Sequence, residues 1–369
     1  MKLLYITNGI NGAGGLERVL AIKASYLADK LNYEVHLLSL NEPQPQPFYA
    51  FSSKVHFHSI EVKGNPVSYI FSYVKGIKRA VRAIQPDVIS VCDDGLKGFF
   101  LPLLLGEKKP IIYERHVSKA IEMHEHFSFI KKESIFLKWK LMSFLAKKFD
   151  AFVVLTNGNI QEWKHLKNLH VIPNPLSFYP NGSSTLQNKK VIAVGKQGYQ
   201  KGYDLLLQAW QKATIDIEDW KLEIYGKIEP QEKLIELADQ LGISESVVFF
   251  SPTQQIEEKY LDASLFVLSS RFEGFGMVLI EAMACGIPCV SFDCPHGPAD
   301  IITHGEDGLL VPNGDVEQLA EALIDVMKHE EKRQYMGAAA KKHVKRYLPE
   351  QIMPLWDTLF KKNVNENCL

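Results

Sequence analysis

Short apolar runs alternate with amphipathic stretches along the whole chain, and this alternation predicts its secondary structure. In the first half, five apolar or β-branched runs predict strands at residues 3–7, 34–39, 88–92, 111–113 and 152–155. Between these strands, apolar residues recur every three or four positions, the spacing of a helix with one buried face. Such stretches lie at residues 17–30, 69–83 and 135–149. After a polar stretch the pattern begins again, with strands predicted at residues 190–194, 221–225, 247–250, 265–268, 289–292 and 308–311.

Strands that alternate with helices are typical of parallel sheets covered by helices on both faces. A chain of 369 residues is long enough for two such domains. We therefore predict an α/β protein with two Rossmann-like, doubly wound parallel-sheet domains that face each other across a cleft. The predicted boundaries are 1–174 for the first domain, 175–189 for a linker, 190–346 for the second domain and 347–369 for a C-terminal helix. Ligands should bind beyond the carboxyl ends of the strands.

Net charge and hydropathy limit the classes of partner and the cellular location that we expect for the protein. The chain carries 42 Lys and Arg against 43 Asp and Glu, a net charge of -1. Because a nucleic-acid binder usually has a strong basic excess, we predict no nucleic-acid partner. Residues 1–7 resemble a first buried strand more than a signal sequence, and the apolar run at 99–105 is cut short by Pro102 and Gly106. We expect a cytoplasmic protein.

The cysteines indicate a reducing compartment and no metal site. There are five, an odd number, at positions 92, 285, 289, 294 and 368. Three of them lie near His296, but their spacing fits no zinc pattern, and Cys285 and Cys289 occupy positions where a small apolar residue suits a helix end and a strand. We predict that the protein binds no metal.

The most informative segment is residues 271–295, RFEGFGMVLIEAMACGIPCVSFDCP, in which two carboxylates flank a glycine-rich turn. Glu273 precedes the turn, and Glu281 lies about one turn into the helix that follows it. An isolated pair of glutamates is usually solvated surface. Here, however, the backbone N–H groups at the start of the helix are unpaired donors that can hold an anion. The four residues concerned are Gly274, Phe275, Gly276 and Met277.

This segment closely resembles the Glu-x7-Glu signature of the retaining glycosyltransferases of family 4. The resemblance extends over nearly the whole chain, and it includes Gly14-Gly15-Leu-Glu-Arg, Glu114-Arg-His116 and the segments 172–176, 191–210, 222–226, 248–252, 260–270, 296–302 and 305–312. One position departs from the family pattern, because Lys196 stands where the family usually carries arginine. A lysine lacks the bidentate fork of a guanidinium, so it would contact a diphosphate differently.

The resemblance implies a B-type glycosyltransferase that transfers a sugar with retention of anomeric configuration and needs neither a cofactor nor a metal. The donor would be a nucleoside diphosphate sugar, expected to be a UDP-hexose or UDP-N-acetylhexosamine, and the acceptor a hydroxyl of a glycan or lipid-linked glycan. Residues 291–298 resemble members that build bacterial surface polysaccharides. In this architecture the first domain lies on the acceptor side, the second binds the nucleotide sugar, and the last helix folds back on the first.

The resemblance also implies roles for individual residues. Lys196 and Lys201 would contact the diphosphate, helped by the amides from Gly274 to Met277. Glu281 would bind the ribose, and Glu273 the hydroxyls of the donor sugar. The resemblance further assigns Gly14 and Gly15 to the donor cleft and His116 to the sugar. The predicted catalytic residues are Glu273, His116 and Lys201.

Residues of the first half carry weaker signals by themselves. A glycine pair after a strand is common in turns, and a histidine just past a strand is more often packed or solvated than catalytic. The roles of Gly14, Gly15 and His116 therefore depend on the resemblance. Asp93 and Asp94 follow a predicted strand, and we interpret them as loop acids rather than as ligands of acceptor hydroxyls.

The stretch 129–149 permits two interpretations. It carries six lysines, one glutamate and several aromatic residues in a helical pattern. It is either a domain helix with lysines outside or a surface that contacts an anionic membrane, which a lipid-linked acceptor would make useful. In the second case the protein would be peripheral on the inner face of the cell membrane.

Two other classes of function remain open from the sequence. A nonhydrolysing sugar-nucleotide epimerase or a phosphorylase can have the same architecture, and a noncatalytic sugar-binding protein can as well. The intact acids and lysine of the signature favour the transferase.

Overall fold

The computed structural model describes residues 1–93, 95–106, 109–119, 129–215, 217 and 219–366. The chain divides into two compact units. Unit 1 is Met1–Pro175 together with Pro349–Leu369, and unit 2 is Leu176–Leu348.

Within the described residues, unit 1 is built on a parallel sheet of seven strands. They are β1 (Lys2–Thr7), β2 (Glu34–Leu40), β3 (His56–Ile60), β4 (Val88–Cys92), β5 (Ile111–Glu114), β6 (Ala151–Val154) and β7 (Leu169–Val171). Their order in the sheet is β3-β2-β1-β4-β5-β6-β7. The strand order reverses between β1 and β4, so the loops that follow these two strands lie side by side at the position where doubly wound sheets bind ligands.

Helices connect the strands of unit 1. They are α1 (Gly15–Lys30), α2 (Pro66–Ile84), α3 (Leu96–Phe99), α4 (Leu101–Leu105), α5 (Phe129–Ala146) and α6 (Ile160–Trp163). Apolar side chains of α2, α4 and α5 pack against one face of the sheet in a single buried cluster, which includes Tyr73, Leu105 and Met142. Burial of this apolar surface is the main source of the stability of the unit.

In its described part, unit 2 repeats the plan with six parallel strands. They are β8 (Lys190–Val194), β9 (Lys221–Tyr225), β10 (Val247–Phe250), β11 (Leu265–Leu268), β12 (Cys289–Asp293) and β13 (Gly308–Pro312). The helices are α7 (Tyr203–Thr214), α8 (Leu234–Gln240), α9 (Ile256–Asp262), α10 (Met277–Ala284), α11 (Pro298–Ile301), α12 (Val316–Lys328) and α13 (Glu330–His343). The order β10-β9-β8-β11-β12-β13 reverses between β8 and β11. The two parallel α/β units confirm the predicted fold class.

The last helix, α14 (Pro349–Glu366), packs against α1 of unit 1. The Tyr33 hydroxyl donates a hydrogen bond to Asp357 over 2.5 Å, and Trp356 is completely buried. Although α14 follows unit 2 in sequence, its buried side chains belong to the core of unit 1.

Two strands of the sheet in unit 1 were not predicted. They are β3 and β7, which form the two edges of the sheet. Three of the five residues of β3 are polar, and β7 has only three residues. An edge strand pairs on one side only and is partly exposed, so its sequence lacks the continuous apolar run that marks a central strand.

The segment 175–189, predicted as a linker, packs against unit 2. Leu176 and Leu186 are buried there, and the Ser184 N–H donates to the carbonyl of Cys285 over 2.8 Å. Two buried leucines and a backbone hydrogen bond therefore anchor this segment to unit 2.

Candidate active site

The loops that follow β8 and β11 meet at the switch point of unit 2. Gly202, in the first loop, has φ +60, in the left-handed region. A Cβ atom at this position would lie 2.1 Å from the carbonyl oxygen of Ser269 in the second loop. Only glycine permits this close approach, which sets the distance between the two loops.

Side chains tie the same two loops together. The Arg271 guanidinium donates to both carboxylate oxygens of Asp204 over 2.8 and 2.7 Å. The Ser269 hydroxyl donates to the carbonyl of Lys201 over 2.8 Å. A bidentate ion pair restricts orientation as well as distance, so these loops form a rigid support.

Two predicted catalytic residues form an ion pair on this support. Lys201 Nζ lies 2.6 Å from Glu273 Oε1, and the Ser270 hydroxyl donates to the same oxygen over 2.6 Å. Glu273 is buried, which strengthens the electrostatic interaction relative to water. The structure therefore brings a cation and a carboxylate together at the carboxyl ends of the central strands.

The start of α10 lies next to this pair in sequence. Gly276 precedes the helix with φ +102, a conformation that glycine adopts most readily. Among the described residues, no acceptor takes a hydrogen bond from the N–H groups of Gly274, Phe275, Gly276 or Met277. A helix start with open donors favours an anion.

Glu281 is completely buried within α10. The Ser177 hydroxyl donates to its Oε1 over 2.9 Å, and the Tyr260 hydroxyl donates to its Oε2 over 3.4 Å. Two of its partners are therefore hydroxyl groups, the same chemistry that a ribose diol would present. Ser177, Tyr260 and Ser270 were missed by the sequence analysis because single hydroxyl residues carry no pattern.

Lys196 has a different partner from Lys201. Its side chain is 66% exposed, and its Nζ lies 3.3 Å from Glu229 Oε1. Hydrogen bonds from Gln231, Lys227 and Lys196 lower the pKa of Glu229 to about 2, and the bond from Gln231 has the largest effect. In this structure Lys196 thus belongs to a group of charges in the loops that follow β8 and β9.

In unit 1, His116 lies beside a buried carboxylate. Its Nε2 is 3.2 Å from Glu114 Oε2, and Lys23 Nζ is 2.5 Å from the same oxygen. The Ser90 hydroxyl donates to Glu114 Oε1 over 2.5 Å. Lys23 was missed as a site residue, although the helical spacing of α1 places it among buried residues such as Leu20 and Leu27.

The glycine pair Gly14-Gly15 of unit 1 lies next to the carboxylate of Glu17. A Cβ at Gly14 would come 2.4 Å from Glu17 Oε2, whereas a Cβ at Gly15 would meet no atom within 4 Å. Gly14 is the N-cap residue of α1, and as a glycine it has no side chain that could accept hydrogen bonds from the helix start. Burial raises the pKa of Glu17. Gly14, which the resemblance assigned to the donor cleft, therefore lies beside an acidic side chain of the first turn of α1.

Of the two acids after β4, the described one is held by hydrogen bonds within unit 1. Asp93 is buried and accepts hydrogen bonds from the Asn8 side chain and the Gly95 N–H over 3.0 and 2.8 Å. These contacts fit the interpretation of Asp93 as a loop acid. Asp94 lies outside the described residues.

Among the described residues, one group of three could hold a metal ion by geometry. Its potential ligand atoms, on Cys92, Glu114 and His116, lie within 4.8 Å of one another. However, the Lys23 ammonium already contacts the Glu114 carboxylate, so a positive charge is present without a metal. The cysteines of unit 2 are buried thiols, and burial raises the pKa of Cys285 to about 12, which disfavours the thiolate that a metal requires.

The helices on one face of unit 1 expose large apolar side chains. Phe71 of α2 is 68% exposed, Ile130 and Phe144 of α5 are 82% and 58% exposed, and Leu103 of α4 is 54% exposed. Exposed basic residues accompany them, namely Lys75, Arg79, Arg82, Lys131, Lys140, Lys147 and Lys148. We call this set the basic apolar face. As far as the described helices go, none has the length and apolarity to cross a membrane.

Each half of the chain matches a known protein family. Residues 13–177 match the family described as Glycosyltransferase Family 4, and residues 181–343 match the family described as Glycosyl transferases group 1. The lipopolysaccharide 1,6-galactosyltransferase of Salmonella typhimurium is 34% identical over 387 aligned positions, which cover 99% of this chain and 98% of that protein.

Solved structures show the same fold. Sucrose-phosphate synthase from Thermosynechococcus elongatus superposes with a TM-score of 0.82 at 18% identity, covering 98% of this chain and 99% of the other. The Anabaena protein HepE in complex with UDP-glucose superposes with a TM-score of 0.78 at 18% identity, covering 98% of this chain and 100% of the other.

Proposed function

The chain belongs to the family 4 glycosyltransferases, and we propose that it transfers a hexose or N-acetylhexosamine from a UDP-sugar to a hydroxyl of a glycan or lipid-linked glycan. The product would be a bacterial surface polysaccharide, as the name of the Salmonella relative suggests. The observation that carries the proposal is the Lys201–Glu273 pair beside the open helix start of α10.

The donor would bind at the switch point of unit 2. Its diphosphate would contact Lys201 and the N–H groups from Gly274 to Met277, and its ribose would hydrogen-bond to Glu281. Glu273 would accept hydrogen bonds from the sugar hydroxyls. Lys196 would have to leave Glu229 to reach the diphosphate, and its side chain is 66% exposed. In unit 1, we propose that His116 contacts a sugar hydroxyl and that Gly14 and Gly15 leave room for the donor.

We propose that the reaction retains the anomeric configuration. The bond between C1 of the sugar and the diphosphate oxygen breaks, and its electron pair stays on the phosphate. The acceptor oxygen bonds to C1 on the same face, and its proton passes to the departing phosphate oxygen. Positive groups that face the growing negative charge lower the barrier more than they strengthen substrate binding.

Under this proposal the protein needs neither a cofactor nor a metal. A metal in such a reaction neutralises the leaving diphosphate. Lys201 and the amides of α10 would do so here, because a preorganised ammonium and open N–H donors provide the same charge stabilisation.

We further propose that the basic apolar face contacts an anionic membrane. Exposed aromatic and aliphatic side chains would enter the interface, and the lysines and arginines around them would face lipid phosphates. α2, α4 and α5 contribute to one buried cluster, so their exposed sides belong to the same face of unit 1. Such contact would bring the enzyme to a lipid-linked acceptor.

A panel of nucleotide sugars tests the transferase. We expect one UDP-sugar to release free sugar and UDP slowly in water and to give an α-linked product with acceptor, whether or not EDTA is present. A β-linked product by NMR, or activity lost in EDTA and restored by Mn²⁺, would contradict the proposed mechanism. UDP release with an epimerised sugar and no use of acceptor would indicate an epimerase. Turnover that requires inorganic phosphate would indicate a phosphorylase. Binding without turnover for every donor would indicate a sugar-binding protein.

A further inference from the structure

Unit 1 contains a buried ion pair that the proposed reaction does not use directly. Lys23 and Glu114 are 1% and 0% exposed and lie 2.5 Å apart. Glu114 also touches His116, the proposed sugar contact, over 3.2 Å. A buried ion pair is costly to desolvate and often stabilises a fold less than an apolar pair would. This cost suggests that the pair has a use beyond stability.

The charge state of Glu114 is set by its neighbours. Burial acts to raise the pKa of this carboxyl, but the Lys23 ammonium and His116 more than offset the effect and hold the pKa at about 2. Glu114 is therefore ionised at neutral pH, and an ionised carboxylate accepts hydrogen bonds without donating any. The proton in its contact with His116 must consequently belong to the imidazole.

We propose that Lys23, acting through Glu114, fixes His116 in the tautomer that carries its proton on Nε2. In the neutral ring, Nδ1 then has a lone pair and accepts a hydrogen bond from a hydroxyl. Lys23 and Glu114 are positioning residues in this arrangement, because they act on the sugar only through His116. The use of the tautomer rests on the proposed function, whereas the tautomer itself does not.

The C-terminal helix encloses the ammonium. Lys23 Nζ lies 3.3 Å from the centre of the Trp356 ring and 5.6 Å from that of Tyr5. A cation over an aromatic face is stabilised most when it is desolvated. α14 therefore contributes to the site by covering the lysine that keeps Glu114 ionised.

Removal of Lys23 should release this constraint. Without the ammonium, desolvation favours the protonated form of Glu114. A protonated carboxyl can donate its hydrogen to Nε2, which leaves the imidazole proton on Nδ1. Lys23→Met should therefore shift His116 away from the Nε2–H tautomer.

Long-range ¹H–¹⁵N spectra of the imidazole rings test the inference directly. The chain has 12 histidines, so the His116 signals are assigned by their loss in His116→Gln. The spectra are recorded well above the ordinary imidazole pKa of about 6.5. We expect the Nε2–H tautomer in the full-length protein, a different tautomer or a mixture in Lys23→Met and Glu114→Gln, and no change in Lys30→Met. Lys30 is an exposed lysine of the same helix and serves as the control.

The outcomes separate the inference from the proposed function. An Nδ1–H tautomer in the unaltered protein would overturn the inference, and so would an unchanged tautomer in a folded Lys23→Met or Glu114→Gln. Glu114→Gln keeps the shape of the side chain, so it serves if Lys23→Met does not fold. If transfer occurs, both variants should lower kcat about a hundredfold, in line with a misplaced contact group. If no donor is turned over, the proposed function fails while the spectra still decide the tautomer.

Discussion

Lys201 Nζ lies 2.6 Å from Glu273 Oε1, although the two residues are 72 positions apart in the sequence. The pair forms because parallel strands β8 and β11 are neighbours, which brings together the loops at their carboxyl ends. In the proposed reaction, each group would contact a different part of the bound donor. The ammonium would contact the phosphate, and the carboxylate would accept hydrogen bonds from the sugar hydroxyls.

Replacing Lys201 by alanine should lower turnover by about a hundredfold or more, since it removes one preorganised charge that faces the leaving phosphate. Steady-state kinetics with the active UDP-sugar would measure this. Lys189→Ala is the matched control, because Lys189 is an exposed lysine of unit 2 paired with Asp219. Wild-type turnover in Lys201→Ala would contradict the assigned role.

Glu281→Ala should weaken binding of UDP by about 10- to 100-fold, as expected for the loss of hydrogen bonds of about 1.5–3 kcal/mol to a charged group. Calorimetric titration with UDP would measure the dissociation constant. Ser177→Ala removes one hydroxyl that now contacts Glu281 and keeps the carboxylate, so it should bind UDP at least as well as the unaltered protein. Equal weakening in both variants would mean that Glu281 acts through the packing of α10 rather than through ribose.

Vesicles that contain anionic lipid should sediment the protein at low salt and release it at high salt, because the attraction is screened beyond about 10 Å at 0.1 M salt. Reversing the charge of Lys138, Lys140, Lys147 and Lys148 to glutamate should abolish sedimentation. Phe71→Ser with Phe144→Ser should weaken it even at low salt.

The same charge reversal at Lys189, Lys221, Lys328 and Lys342 of unit 2 controls for net charge. If this variant also fails to sediment, the attraction is nonspecific. Binding that persists after reversal on α5 would leave that helix as ordinary domain packing.

Acid should destabilise unit 1 through Glu114. Its pKa falls from an ordinary value of 4.5 to about 2 on folding. A lowered pKa contributes stability that is complete above pH 4.5 and is lost as the pH falls toward 2, up to about 3 kcal/mol by linkage. Urea unfolding at several pH values should show a steeper loss over this range in the unaltered protein than in Glu114→Gln. Parallel curves would show that Glu114 has the same pKa in both states.

The sequence determined most of the fold because central strands and buried helices leave a local signal. The strands at 190–194, 221–225 and 247–250 were predicted at the bounds that the structure shows, and the sequence also predicted a helix after the glycine-rich turn, where α10 begins. The edge strands β3 and β7 escaped prediction because their exposed sides carry polar residues. The family resemblance, confirmed by the comparisons, came from the motif around Glu273 and Glu281.

Only the tertiary structure decided which charges meet. The family resemblance assigned both Lys196 and Lys201 to the diphosphate, yet Lys196 pairs with partly buried Glu229 and Lys201 with buried Glu273. The sequence analysis did not single out Lys23 from the other lysines of its helix, although folding buries it against Glu114 and Trp356. Electrostatic interactions depend on distance and burial across the sheet, and residues far apart in the chain acquire both only when the strands have assembled.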